Sequence, residues 1–451
     1  MELVNIKRVY LIGIGGIGMS GLARYFHHLD LVVCGYDKTS TPLTKTLEAE
    51  GIKVSYEDVS TLIPLSFQQK SEDTLVIYTP AIPKNSEILN FFIDKGFRLY
   101  KRSEVLGILS KGMQTIAVAG THGKTTTSCL IAHLLRVGGI DCAAFLGGIS
   151  ANFNSNVLFG QSGVLVVEAD EYDRSFLTLH PDTSIITSMD ADHLDIYGKK
   201  EQLEASFQQF AHQLKSDGFL IYKLGLPLTS GITYGVEVAA SAKAQNISIE
   251  NHEFYFDYHF EEKALLNLHL GLPGKHNVEN AVAAITAVLK MGVSEEAIRA
   301  GLASFKGVKR RFEYLVKTEH HIYIDDYAHH PEELKACFQA VRALYPHQKL
   351  TAIFQPHLFS RTRDFADEFA EVLATVDELL LLEIYPAREL PIPGVNSQML
   401  AEKIAMDKVR VCGKEEALEM VKKEKPELLL TVGAGDIDQL VNPLKNILQN
   451  A

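Results

Sequence analysis

The sequence predicts an α/β protein of three domains, and three observations carry that prediction. A chain of 451 residues is too long for one ordinary hydrophobic core, and at roughly 150 residues per domain it suggests about three. Short apolar runs alternate with helical patterns through most of the chain, as in layers built around largely parallel sheets. The alternation also falls into three blocks, with boundaries expected at 1–108, 109–309 and 310–451. No fixed-period repeat or low-complexity linker interrupts them.

The first block contains RVYLI, LVVCGYD and TLVIYTPAI and closes near Tyr100 to Ser103. Its glycines Gly13-Ile14-Gly15-Gly16-Ile17-Gly18 satisfy GxGxxG after a strand, and Asp37 ends the next strand, where a dinucleotide fold grips a ribose. This makes the block Rossmann-like. Alone, the motif says that a pyrophosphate can approach the backbone, which serves an NAD-dependent oxidoreductase and a UDP-linked ligand equally.

In the second block, a strand Thr115–Ala119 runs into Gly120-Thr121-His122-Gly123-Lys124-Thr125, with a helix expected from about Lys124. The loop is shorter than GxxxxGK[ST], yet it has the same parts. Backbone N–H groups and the positive helix end face an anion, Lys124 can reach the β- and γ-phosphates, and the Thr125 hydroxyl can coordinate Mg2+. A plain glycine turn needs neither the lysine nor the threonine run Thr125–Thr127. The block is thus of the phosphate-loop ATPase type. Its next strand ends in VVEADE, where Glu168 leaves the apolar run as an oxygen ligand for a hard cation. Asp170 and Glu171 read equally as a solvated turn or a helix start. His193 lies among the carboxylates of Asp190, Asp192 and Asp195 and is a candidate for a metal or phosphate role. From about Gly231 to Leu270 the pattern shortens to alternating segments such as ISIENHEFYFDYHF, expected as antiparallel hairpins at a sheet edge. The third block, after Lys309-Arg310-Arg311-Phe312, carries IYIDDYAHHPEE, LTAIFQPH, ELLLLEIYPARE and LLLTVGAGD, again Rossmann-like.

Composition narrows the function. A formal charge of -12 disfavours nucleic acid as a partner. Five scattered cysteines without a CxxC pair argue against a disulfide framework or a thiolate zinc site and fit a reducing cytoplasm. The start of the chain lacks signal-peptide character, and no run of about 18 apolar residues predicts a membrane span.

GIGGIGMSGLA, GTHGKTTT, VEADE, DADH, HNVENA, RRFE, DDYAHHP and QPHLFSR, in that order, resemble the Mur ligases over nearly the whole chain. The compressed phosphate loop is that family's form. The order is most similar to the branch that adds L-alanine to UDP-N-acetylmuramate. The resemblance implies a cytoplasmic enzyme of peptidoglycan precursor synthesis that uses ATP and Mg2+, works through an acyl phosphate, and is a monomer or homodimer. It implies UDP-sugar contacts at Gly13, Gly15, Gly16, Ile17, Gly18, Asp37 and Arg102. ATP contacts are implied at Gly120, Thr121, His122, Gly123, Lys124, Thr125, Thr126, Asn277, Asn280 and Asp325, with Asp326 beside it. One Mg2+ is implied on Thr125 and Glu168, and a second on His193.

Asn277 and Asn280 share one helix face at spacing i, i+3, although Asn277 also reads as a helix N-cap. Arg310 or Arg311 resembles an arginine that engages the phosphates when domains close. Tyr327, His329, His330, His357 and Arg361 fall where the family binds its amino acid. There a cation suits the carboxylate and a neutral histidine the amine; the histidines read otherwise as surface residues at a helix start.

Sister branches carry a carbamylated lysine about fifteen residues beyond the histidine, where this chain has Gln208 and Gln209 and no lysine between Lys200 and Lys215. Tyr78-Thr79-Pro80-Ala81 stands where the family more often shows serines. The alternatives are a murein-tripeptide recycling ligase, an NAD-dependent oxidoreductase and a non-catalytic nucleotide switch.

Overall fold

The computed structural model describes residues 5–190, 197, 200–387 and 389–449. The strands are β1 (Arg8–Ile12), β2 (Val32–Tyr36), β3 (Lys53–Ser55), β4 (Thr74–Tyr78) and β5 (Leu99–Lys101), followed by β6 (Gln114–Ala119), β7 (Ala143–Ser150), β8 (Ser155–Leu158), β9 (Val164–Glu168) and β10 (Thr183–Ile186). Then come β11 (Phe219–Lys223), β12 (Ile232–Val236), β13 (Ala242–Glu250), β14 (Glu253–Phe260) and β15 (Lys263–Leu270). The last are β16 (Glu313–Lys317), β17 (Ile322–Asp326), β18 (Leu350–Phe354), β19 (Glu378–Leu381), β20 (Val409–Val411) and β21 (Leu428–Val432).

Three sheets result. The first, in order β3-β2-β1-β4-β5, is wholly parallel. Its strand order reverses beside β1, so the glycines that follow β1 open at the switch point, where doubly wound sheets bind ligands. The second runs β15-β14-β13-β12-β11-β10-β6-β9-β7-β8. Parallel pairing surrounds β6, and the pair β7 and β8 is antiparallel at one edge. The third runs β16-β17-β21-β18-β19-β20 and is parallel except for the edge strand β16.

The stretch expected as hairpins is only partly so. β12 pairs in parallel with both neighbours. Beyond it, β13 and β14 are joined by Asn251 and His252, both at positive φ (52° and 62°), the two-residue turn that returns a strand antiparallel. In β14 Phe254, Phe256, Tyr258 and Phe260 are buried in alternation, the period-two signal its sequence carries.

The chain forms two compact units, one of Met1–Asn246, Phe256–Leu268 and Glu279–Lys306, the other of Ile247–Tyr255, His269–Val278 and Gly307–Ala451. The first sheet and most of the second thus share a unit. One apolar core joins Val9, Leu22, Phe26 and Val105 of the first block to Phe145, Val157, Phe176 and Leu179 of the second. Helix Ile17–His28 lies along this seam. Arg24 donates to Ser155 Oγ (2.8 Å), Asn156 donates to the Ile17 carbonyl (2.5 Å), and His28 stacks on Phe159. Helix Arg102–Gly112 runs across the 108/109 boundary expected from sequence and is stitched to the central block by Thr178, which donates to the Ser103 carbonyl at 2.7 Å.

Candidate functional site

In the first unit the glycine turn after β1 is braced from several sides. Gly13 has φ of 87°, and a Cβ there would lie 2.4 Å from Thr79 Cγ2, which places the Tyr78–Ala81 segment directly on the turn. Gly15 N–H donates to Asp37 Oδ2 at 2.8 Å, so the Asp37 carboxylate holds the turn in shape. Gly16 precedes the helix that starts at Ile17. A Cβ on Gly18 would come within 2.6 Å of Arg102 Nη1, and Arg102 Nη2 reaches 3.9 Å from Asp170 Oδ2. Arg102 therefore links the start of the first helix to the acidic turn after β9.

The phosphate loop follows β6, and helix Lys124–Val137 begins at Lys124 as the sequence predicts. Gly123 has φ of 82°, a left-handed conformation that favours glycine, and a Cβ there would meet Asn280 Oδ1 at 2.6 Å. The loop rests on the end of β10. His122 N–H donates to Ser188 Oγ (2.8 Å), Thr121 Oγ1 pairs with the same hydroxyl (2.8 Å), and Thr187 Oγ1 donates to the His122 carbonyl. Thr125 and Thr126 are buried at the helix start.

Lys124 Nζ donates to the Gly120 carbonyl at 2.6 Å and lies 2.9 and 2.8 Å from Glu171 Oε1 and Oε2. Burial alone would lower the Lys124 ammonium, but the carboxylates of Glu171, Glu168 and Asp170 outweigh it and hold it above its ordinary value. The ammonium therefore stays charged at neutral pH. Glu171, read from sequence as a solvated turn or a helix start, is only 1 % exposed. Burial favours its proton against the pull of Lys124. The half-buried lysine stabilises it there, because an unpaired carboxylate in that position would be costly.

Glu168 Oε2 accepts the Gly147 N–H at 3.0 Å. Among the described residues no three His, Cys, Asp or Glu side chains converge as a metal cluster. A hydroxyl and a carboxylate, Thr125 and Glu168, still fit Mg2+, which keeps several waters and takes phosphate oxygens for the rest of its shell. His193 lies outside the described residues. Gln208 and Gln209 are exposed on helix Lys200–Ala211.

Asn277 and Asn280 both lie inside helix Lys275–Lys290 and are buried. Asn277 is its third residue and donates to the Pro273 carbonyl at 2.6 Å, so the N-cap reading does not hold.

The candidate groups of the second unit gather at the C-terminal ends of its parallel strands, the ligand edge of such sheets. Arg310 sits at φ of 61°. Its Nε donates to Asp325 Oδ2 (3.1 Å), its Nη2 to the Gly433 carbonyl (2.7 Å), and its guanidinium lies 5.2 Å from the Tyr327 ring centroid. Asp325 is fully buried and also accepts from Thr431 Oγ1 (2.5 Å). Asp325, expected as a nucleotide contact, here holds Arg310. Asp326 likewise accepts the Phe312 and Ala328 N–H groups, each at 2.7 Å. Burial pushes both carboxyls up to about 6. The Arg311 charge acts on His276, His329 and Asp326. The two arginines, equivalent in sequence, are therefore distinct in structure.

Tyr327, His329, His357 and Arg361 are brought together. The His329 ring meets Tyr327 at 5.4 Å and His357 at 5.8 Å between centroids. His329 Nδ1 faces two acceptors, the Tyr327 carbonyl at 3.0 Å and Glu333 Oε2 at 3.2 Å, so it carries the proton and leaves Nε2 as the acceptor. Burial lowers the His329 imidazole, with Glu333 opposing and Arg361 adding. Arg361 can only donate, and its Nη1 lies 3.4 Å from His357 Nδ1. Burial, His329 and Arg361 push His357 down to about 4. His330 instead packs edge-on against Phe365.

Sequence reasoning missed Thr187 and Ser188, the only hint being polar residues at the end of the apolar run of β10, and it passed over Tyr385. Tyr385 stacks on His357 with ring centroids 5.8 Å apart and planes 18° from parallel.

Three family descriptions match in order: "Mur ligase family, catalytic domain" over residues 8–114, "Mur ligase middle domain" over 118–288, and "Mur ligase, glutamate ligase domain" over 310–435. A UDP-N-acetylmuramate--L-alanine ligase of Christiangramia forsetii is 49% identical, with 99% of each chain covered. The crystal structure of a UDP-N-acetylmuramate-alanine ligase from Thermotoga maritima superposes with a TM-score of 0.82 at 27% identity, covering 98% of this chain and 99% of that one. A murein peptide ligase from Psychrobacter arcticus shares the fold, with a TM-score of 0.70 at 23% identity and coverage of 98% and 99%. With all three domain types in sequence order on one chain and near-half identity end to end, the protein belongs to the Mur ligase family.

Proposed function

We propose that this chain is an ATP-dependent ligase that joins L-alanine to the carboxylate of UDP-N-acetylmuramate, forming an amide with release of ADP and phosphate. The observation that carries the reading is the pairing of two phosphate-accepting turns inside one compact unit, with Arg102 reaching from the start of the first helix to the acidic turn beside the second. A dehydrogenase would leave the second turn without purpose. The near-half identity to L-alanine ligases supports the choice of amino acid.

A carboxylate is a poor electrophile, so its oxygen first attacks the γ-phosphorus of ATP. The bond to the β,γ-bridging oxygen breaks, ADP leaves and an acyl phosphate remains. The amine of L-alanine then adds to the acyl carbon, loses a proton, and phosphate departs with the former carboxylate oxygen. Two anions must meet in the first step, so positive charge and N–H dipoles are the chief requirement. Lys124 and the start of its helix supply them. Mg2+, when held by Thr125 and Glu168, would neutralise further phosphate charge. Asn280 fixes the loop by packing at Gly123, and Asp325 and Gly433 aim Arg310.

For the second step, Arg361 suits the alanine carboxylate, and His329, neutral and oriented by Glu333, offers Nε2 to the amine proton. Gly13, Gly15, Gly16, Ile17 and Gly18 form the cradle for the UDP pyrophosphate.

The test is phosphate release from ATP and Mg2+ with UDP-N-acetylmuramate, with and without L-alanine, glycine, L-serine or the tripeptide. Release that requires the sugar nucleotide and prefers L-alanine is expected. Preference for tripeptide, or ATP turnover indifferent to both substrates, overturns the reading.

A further inference from the structure

We propose that Tyr385 is a positioning residue of the amino-acid pocket, holding the His357–Arg361 segment in its working shape. The proposal rests on the pocket assignment above. The segment needs such a clamp. Leu358 has φ of 72° and ψ of 134°, a conformation that a branched side chain adopts only when its surroundings enforce it. Tyr385 grips both sides of His357, the residue just before it. Its N–H donates to the Pro356 carbonyl at 2.8 Å, and its own carbonyl accepts the Leu358 N–H at 2.9 Å. Between these bonds its ring lies on the imidazole of His357. Four residues on, Glu389 accepts the Ser360 N–H at 2.9 Å and bonds its hydroxyl, tying down the first turn of helix Phe359–Asp364, which carries Arg361.

The turn after β21 explains why Tyr385 stands where it does. A Cβ on Gly435 would lie 2.6 Å from Tyr385 Cβ and 2.5 Å from Gln355 Oε1, so only glycine allows the tyrosine so close. Gln355 is fixed in turn by the Ile437 N–H (2.8 Å) and by Asp436 (2.7 Å). Gly433, two residues before Gly435, is the residue whose carbonyl holds Arg310. One glycine turn thus supports the arginine on one side and the amino-acid pocket on the other.

The full chain is tested as Tyr385→Ala and Tyr385→Phe, measuring KM for L-alanine, ATP and UDP-N-acetylmuramate separately, and following the His357 ring titration by NMR. Tyr385→Ala is expected to raise KM for L-alanine by about 10- to 100-fold, with the other two constants within about twofold of the parent. His357 should move from about 4 toward the ordinary imidazole range. Tyr385→Phe keeps the ring and should restore both properties. An equal rise in all three constants, an unmoved His357 titration, or a Phe variant as impaired as Ala overturns the proposal. If the parent shows no L-alanine-dependent turnover while His357 still moves in Ala and not in Phe, the functional reading falls and the positioning role stands.

Discussion

The phosphate loop of the first unit and the arginine-histidine site of the second both hold backbone in the left-handed region, but they do so with different residues. In the first, as in the turn after β1 at Gly13, the positive φ values fall on glycines, Gly120 and Gly123, where no Cβ opposes them. In the second they fall on Gly433 but also on Arg310, Phe312 and Leu358, and each of these three costs of order 1–3 kcal/mol and must be held by its surroundings. The first site is therefore shaped by its own chain and can be read from it. The second is shaped by neighbours distant in sequence, among them Asp325, Tyr385 and Gly433.

Lys124→Ala is the strongest way to break the comparison. It should lower kcat by at least about 10³-fold, and it also strands Glu171, a buried carboxylate. Lys124→Met with Glu171→Gln separates the two losses. Thermal stability should return and turnover should not; recovered turnover would remove Lys124 from the phosphate-binding role.

Next in size is Arg310→Ala. Leaving Asp325 buried without its partner should cost about 3–5 kcal/mol of unfolding free energy, read by denaturant melts, and Asp325→Asn in the same chain should return part of it. A single Arg310→Ala variant as stable as the parent would show that Asp325 does not depend on the pair. Gly123→Ala then tests the glycine side of the comparison. Strain at φ of 82° and the clash with Asn280 should raise KM for ATP about tenfold or more and lower stability by about 1–3 kcal/mol.

His357 gives a pH test of moderate size. Its folded value is depressed to about 4 from an ordinary 6.5. Its contribution to stability is therefore present above about 6.5 and is lost as pH falls toward 4, because the unfolded chain binds the proton first. Melting temperature should decline across that window, and less in His357→Gln. The smallest effect is expected for Leu358→Gly. Relief of strain offsets the lost side chain and the added freedom of glycine, so stability should change by no more than about 1 kcal/mol. A large loss would place the stabilisation of that segment in the Leu358 side chain.

How much the sequence disclosed follows the same division. The strand, glycine turn and helix around Lys124 were legible because glycine, lysine and threonine have few other reasons to stand in that order. Glu171 was not, since a carboxylate after a strand reads alike as solvated or buried until the lysine is seen beside it. Asn277 looked like a cap because periodicity does not fix a helix start to one residue. The burial of Asp325 and its bonds to Arg310 and Thr431 were not legible either, because a strand end reveals exposure only when its neighbours are known. Strand β12 was read as part of a hairpin, and no local pattern distinguishes that from a parallel neighbour.

Three sheets suggest three separable modules, but the seam along helix Ile17–His28 joins the first two. Phe145, Val157 and Phe176 are covered in part by Leu22, Phe26 and Val105. A gene split after Gly112 would therefore release two fragments with wet apolar faces, neither able to fold alone. Heating should melt the first sheet and the β6 region of the second in a single cooperative step, and the glycine turns after β1 and β6 keep their spacing for as long as that step has not been crossed.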